Sequence, residues 1–202
     1  IAAGTGLLNT HTHNWDQMSL DLAGITPDKL APLCSPTQRV RKMNPYLAKQ
    51  MGIPDYTPLV VGSADAVNSS IGTGAVMAGH ATCMVGTSGA FRIIANQSVL
   101  DHKARTYCYA IDNGHWLVGG AINNGGLALS WFREVLIQML LGASDGAQLS
   151  FEELIYLAGK VKPGAYCLIC LPFLAGERSP YWNMNARGVF FGLTLRHDIG
   201  HM

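Results

Sequence analysis

The sequence predicts an α/β domain with a mixed sheet, and three observations carry that reading. Residues 59–61 (Leu-Val-Val) are apolar and largely β-branched and stop at Gly62, the pattern of a buried strand ending in a turn. Residues 81–85 and 90–95 flank Gly86-Thr87-Ser88-Gly89, and residues 106–111 and 115–119 flank Asp112-Asn113-Gly114, so two hairpins are expected. Leu127, Leu129, Trp131, Phe132, Val135, Leu136, Met139 and Leu140 then mark the longest helix of the chain.

The other elements follow in order. Residues 1–18 are an apolar, turn-rich opening and then a polar stretch from Asn9 to Asp16, and residues 17–24 read as a short helix stopped by Gly24. Thr26-Pro27-Asp28-Lys29 starts another turn of helix, with Thr26 as N-cap and Pro27 at its first position. The prolines from Pro32 to Pro36 make a connector and a candidate domain edge. Residues 44–51 are expected to be helical, ending near Gly52, and residues 65–74 to start a helix whose exposed N-terminus lies at Asp65. Ser150 caps Phe151-Glu152-Glu153-Leu154, with Glu153 at the capping-box position, and that helix ends by Gly159. A strand over 166–171 leads into a loop over 172–187 and a last strand over 188–193.

The chemistry centres on Gly62-Ser63-Ala64-Asp65. In open α/β sheets ligands gather outside the carboxyl ends of strands, where Asp65 is expected. Gly72-Thr73-Gly74, the turn at residues 86–89 and Gly125-Gly126 add backbone turns of close approach. One carboxylate with several such turns suits phosphoryl transfer, which needs a general base and many N–H and hydroxyl donors for phosphate oxygens. Spacing alone favours a structural carboxylate beside ordinary turns, because single glycine turns are weak motifs.

Composition narrows the partners. The 202 residues are 49% apolar and 13% charged with a net charge of +1, enough for a well-buried core and without a basic stripe for nucleic acid. No apolar stretch is long enough to span a bilayer, and no secretory signal opens the chain. The five cysteines are scattered, and Cys83, Cys108, Cys167 and Cys170 fall in strand-like runs, which suits reduced core thiols in a cytoplasmic protein. In an extended segment Cys167 and Cys170 face opposite ways, and no second CxxC exists, so zinc or redox chemistry is not indicated. His11 and His13 would share one face of a surface strand, but no third ligand is spaced to join them, so no metal site is expected.

Several motifs resemble those of the FGGY carbohydrate kinases, the group of glycerol kinase, xylulokinase and gluconate kinase. They are Thr5-Gly6-Leu7-Leu8-Asn9 with Trp15-Asp16, Gly62-Ser63-Ala64-Asp65, Val85-Gly86-Thr87-Ser88-Gly89, and Gly119-Gly120-Ala121-Ile122-Asn123-Asn124-Gly125-Gly126 through Trp131 and Arg133. The most specific is Leu171-Pro172-Phe173-Leu174-Ala175-Gly176-Glu177-Arg178-Ser179-Pro180-Tyr181-Trp182-Asn183 with Ala186-Arg187-Gly188. Arg105 to Ala110 and Asn123 to Gly126 look most like the gluconate kinase branch.

The resemblance implies an actin-like, ribonuclease H-like ATPase lobe with a mixed sheet. It assigns residues 1–20 to the tail of an N-terminal lobe and 21–202 to a C-terminal lobe incomplete at its end, so the segment by itself is expected to be inactive. It makes Asp65 the catalytic base that meets the sugar hydroxyl. It makes Gly86, Thr87, Ser88, Gly126 and Ser130 ATP contacts, the last two at a helix start whose free N–H groups favour anions. Asn123, Glu177 and Arg178 either shape the cleft or lock its loops. Ala66 stands where glycerol kinase carries an amide, which argues against glycerol. ATP with Mg²⁺, the ion held mainly by the rest of the N-terminal lobe, is the implied cofactor, and a sugar or sugar acid such as gluconate the acceptor. A homodimer is admissible. The other readings are a xylulokinase-type enzyme, a non-catalytic nucleotide- or partner-binding lobe, and an actin-like ATPase without a sugar.

Overall fold

In the computed structural model, which describes residues 1–137 and 149–202, the first helices begin on side-chain caps and end on left-handed glycines. β1 (Leu8–Asn9) pairs antiparallel with β2 (Asn14–Trp15), and α1 (Gln17–Ala23) starts at once. Asp16 caps α1 by accepting the Ser19 amide, and Gly24 closes it in the left-handed conformation. α2 (Pro45–Met51) is built the same way, with Asn44 accepting from the Tyr46 amide and Gly52 as left-handed cap. Residues Pro27–Lys29 form only a 3₁₀ turn, and Thr26 makes no side-chain cap.

The strand expected at residues 59–61 is not buried. β4 (Leu59–Val60) pairs only with the equally short β3 (Arg39–Val40), and Leu59, Val60 and Val61 are all exposed. A two-residue ribbon has no second layer to hide its side chains, so Asp65 follows an exposed ribbon and not a strand of the main sheet. α3 (Asp65–Gly72) begins at that residue, as its position after Gly62 suggests.

The main sheet has four strands in the order β5-β6-β8-β7: β5 (Ala81–Val85), β6 (Gly89–Ala95), β7 (Tyr107–Ala110) and β8 (Trp116–Ile122). Both hairpins expected from the turn residues are present. β7 and β8 pair antiparallel with Tyr107 opposite Gly119 and Tyr109 opposite Leu117.

The chain divides into two units, residues 1–82 with 92–119 and residues 83–91 with 120–202. In the first, Val67 of α3, Ala75, Ile94 and Leu117 form a buried cluster against which Ala66, Tyr109 and Ile111 pack. Ser70 is buried beside it and is satisfied, donating to the Ala66 carbonyl at 2.9 Å and sharing a 3.1 Å hydrogen bond with the Thr82 hydroxyl. In the same unit Trp116 Nε1 donates to the Thr10 carbonyl at 2.9 Å. His13 lies against the Trp116 ring from a turn, so the histidine pair sits on a turn and not on a surface strand.

In the second unit, α4 (Gly126–Trp131) runs into a wider π turn over Phe132–Ile137. The expected continuation to Leu140 lies outside the described residues. α5 (Phe151–Gly159) carries the full capping box, Ser150 accepting from the Glu153 amide and Glu153 from the Ser150 amide. Residues Ala165–Cys167 form a 3₁₀ turn, and only β9 (Ile169–Leu171) is extended, paired with β10 (Val189–Phe191). The strand expected over 166–171 is therefore half its length. Of the four only Cys108 is buried; Cys83 lies on the edge strand β5, Cys167 in the 3₁₀ turn and Cys170 in the two-stranded β9–β10 ribbon, and all three are exposed.

Candidate active site

Asp65, the first residue of α3, is exposed, and its Oδ1 accepts the Ala66 amide at 2.7 Å. A negative charge in the first turn complements the helix dipole. The chain entering the helix is fastened to it: the Ser63 hydroxyl donates to Asn68 Oδ1, and Asn68 Nδ2 donates to the Ser63 carbonyl at 3.2 Å. Ser63 and Ala64, next to Asp65 in the chain, line a cavity of about 800 Å³ together with Thr5, His13, Tyr109 and His115. His115 Nδ1 meets Asp112 at 2.9 Å. Burial pushes the Asp112 carboxyl up, but the Gly114 amide and His115 outweigh it and hold the group below the usual carboxylate value.

The expected nucleotide contacts assemble within the second unit. Thr87, Gly126 and Ser130 line one cavity of about 290 Å³ with Leu127, Leu129 and Phe151. Gly86 and Ser88 do not line it; they close the turn that carries Thr87, the Gly86 amide donating to the Ser88 carbonyl at 2.8 Å. The expectation of free N–H groups at the start of α4 is corrected. The Gly126 amide donates to the Gly86 carbonyl at 2.7 Å, and the Gly125 and Leu127 amides donate to the Thr87 carbonyl at 3.2 and 3.1 Å. The two glycines are needed for that contact. A Cβ on Gly125 would come within 2.7 Å of the Ser88 backbone, and one on Gly126 within 2.9 Å of the Gly86 carbonyl. The Thr87 hydroxyl and amide and the Ser130 hydroxyl bind no protein group among the described residues and remain for a ligand.

Between the two readings of Asn123, Glu177 and Arg178, the hydrogen bonds describe a lock. The Glu177 side chain is buried; its Oε1 accepts the Asn123 amide at 2.7 Å and the Arg178 amide at 2.8 Å, and its Oε2 accepts Asn124 Nδ2 at 3.2 Å. Asn124, buried as well, also donates to the Gly176 carbonyl at 2.7 Å and accepts the Ala175 amide at 3.0 Å. Arg178 donates to the Ile122 carbonyl at 2.9 Å. Sequence reasoning named Asn123 but not the buried Asn124, and missed Leu127, Leu129 and Phe151 in the cavity wall. The capped start of α5 was the one local sign that Phe151 is held in place.

The FGGY family of carbohydrate kinases matches almost the whole chain, its N-terminal domain over residues 1–72 and its C-terminal domain over 81–202. The N-terminal match runs past the residue-20 boundary drawn from motif order. A gluconokinase of Bacillus subtilis (strain 168) is 40% identical over 203 aligned residues, covering 100% of this chain and 40% of the relative. A xylulose kinase of the same strain is 27% identical over 99% of the chain and 38% of the relative. Among solved structures, a gluconate kinase from Lactobacillus acidophilus has a TM-score of 0.90 at 38% identity, covering 99% of this chain and 39% of that one. A ligand-bound xylulose kinase from the same organism has a TM-score of 0.89 at 37% identity, again over 99% and 39%. The chain thus spans about two fifths of the length of the curated relatives it matches. No helix among the described residues is long and apolar enough to cross a membrane.

Proposed function

The chain belongs to the FGGY family of carbohydrate kinases, and on that premise we propose that it is part of an enzyme that transfers the γ-phosphoryl group of ATP to a hydroxyl of gluconate. The observation that carries the substrate is the 40% identity to a gluconokinase of Bacillus subtilis along the whole chain, against 27% to a xylulose kinase of the same strain. Asp65 is the general base. It is exposed, held by the Ala66 amide, and adjoins residues that line a cavity with room for a six-carbon acid. It takes the proton of the attacking hydroxyl, and the rest of the work is positioning and charge neutralisation.

The nucleotide side is Thr87, whose hydroxyl and amide suit phosphate oxygens, with Gly126 and Ser130 beside it and Leu127, Leu129 and Phe151 supplying apolar wall. Gly86, Ser88 and Gly125 act by shaping the turn. Bound with the ATP phosphates, Mg²⁺ would supply charge neutralisation for the transferring group, its protein ligands lying outside the described residues. We place the lobe boundary between residues 72 and 81, where the two family domains part. Glu177, Asn123 and Arg178 act as a lock, not as ligand contacts.

A second reading, a xylulokinase-type enzyme, is favoured by the ligand-bound xylulose kinase structure that matches at nearly the same TM-score. Comparing kcat/KM of the full-length protein for gluconate, xylulose and glycerol decides between them. A clear preference for xylulose keeps the kinase and removes gluconate; no turnover with any acceptor leaves the non-catalytic lobe.

A further inference from the structure

Arg92 is a buried cation with no counter-charge among the described residues. It lies in β6 between Ala90 and Ile94; all three turn inward, while Phe91 and Ile93 are exposed. Ile94 packs with Val67 of α3 and Leu117 of β8, so the inward face is the one that α3, begun by Asp65, covers. Arg92 is only 7% exposed. Its Nε donates to the Tyr107 hydroxyl at 3.0 Å, reaching past β8, where Gly119 stands opposite Tyr107. The glycine leaves room for the long side chain.

Tyr109 links this group to the cavity. Its ring stacks on Tyr107 with centroids 4.5 Å apart, and it lines the same cavity as Ser63 and Ala64. Burial pushes the Tyr109 phenol above its ordinary value; Tyr107 adds to that shift, Arg92 opposes it and Asp65 adds to it.

No ion pair among the described residues involves Arg92. Its Nη atoms donate to no group among the described residues. A cation so buried is costly unless an anion meets it, and a guanidinium pinned at one end presents a planar N–H pair that matches a carboxylate.

We propose that Arg92, pinned by Tyr107, is the specificity-determining cation of the acceptor site and receives the carboxylate of a sugar acid whose hydroxyl meets Asp65. The inference rests on the sugar-acid reading above. The test is made in the full-length protein with Arg92→Met, Arg92→Lys and Tyr107→Phe. The acceptors are gluconate and D-glucitol, which has CH₂OH in place of the carboxylate. Arg92→Met is expected to lower kcat/KM for gluconate about 10- to 100-fold, mainly through KM, the usual worth of hydrogen bonds to charged groups. The low activity on glucitol is expected to stay unchanged, and Arg92→Lys to recover part of the loss. Equal losses on both acceptors would make Arg92 a structural cation and overturn the proposal while gluconate phosphorylation stands. Wild-type turnover of xylulose but not gluconate removes the sugar-acid reading and this proposal together. If Arg92→Met does not fold, Tyr107→Phe decides: a loss confined to gluconate supports the proposal, and an unchanged gluconate-to-glucitol ratio overturns it.

Discussion

Replacing Glu177 tests whether the loop after β9 is held by one buried carboxylate. Glu177→Ala leaves three donors, the Asn123 and Arg178 amides and Asn124 Nδ2, without their acceptor. Each unsatisfied buried donor costs about 1–3 kcal/mol, and water entering the gap relieves part of that, so a net loss of about 3–5 kcal/mol is expected. Glu177→Gln is milder and more informative. Its oxygen can keep the two backbone amides, but its NH₂ then faces Asn124 Nδ2, a donor against a donor. Asn124 cannot flip to help, because its oxygen already accepts the Ala175 amide and its nitrogen serves the Gly176 carbonyl. About 1–3 kcal/mol is the expected loss, partly offset because a neutral amide is easier to bury. Amide hydrogen exchange read on peptides covering residues 121–126 and 175–180 measures this locally. Since about 1.4 kcal/mol is a factor of ten, protection should fall about 10²- to 4 × 10³-fold in Glu177→Ala and about 5- to 140-fold in Glu177→Gln. Unchanged protection in both variants would refute the lock and return Glu177 to a cleft role.

Other outcomes follow from the same geometry. Asp65→Asn in the full-length protein should keep the fold and ATP binding while lowering kcat by about 10²–10⁴, the usual worth of a general base; near-normal turnover removes the assignment. Thr87→Val keeps the shape of the turn but loses its unengaged hydroxyl, so KM for ATP should rise about 10-fold with the acceptor KM unchanged, one hydrogen bond to a charged phosphate being at stake. The Asp16 carboxyl is held below its ordinary value first by the Ser19 hydroxyl and then by the Ser19 amide and Asn9. A lowered folded value means stability present above the unfolded pKa of about 3.9 and lost as pH falls through the folded one. Acid unfolding of the wild type should thus show a component in that window that Asp16→Ala lacks, and identical acid profiles would contradict it.

The sequence by itself determined what depends on neighbours a few residues apart. Asp16 with Gly24, Asn44 with Gly52 and Ser150 with Glu153 each carry a helix start or stop within one or two turns, and all three helices appear as read. The turns at residues 86–89 and 112–114 likewise predict their hairpins, and the ordered motifs identify the family. Tertiary structure alone decided how distant groups share their hydrogen bonds. The amides at Gly125 and Gly126 look free in the chain, but the folded turn at Gly86 and Thr87 consumes them. Glu177 and Asn124, 53 residues apart, become partners only when two loops close. Arg92 reads as one more charge on a strand until the sheet order brings Tyr107 to its Nε. Residues 59–61 and the cysteine strands read as buried because apolar, β-branched runs favour strands, yet burial needs a covering layer that local propensity does not encode.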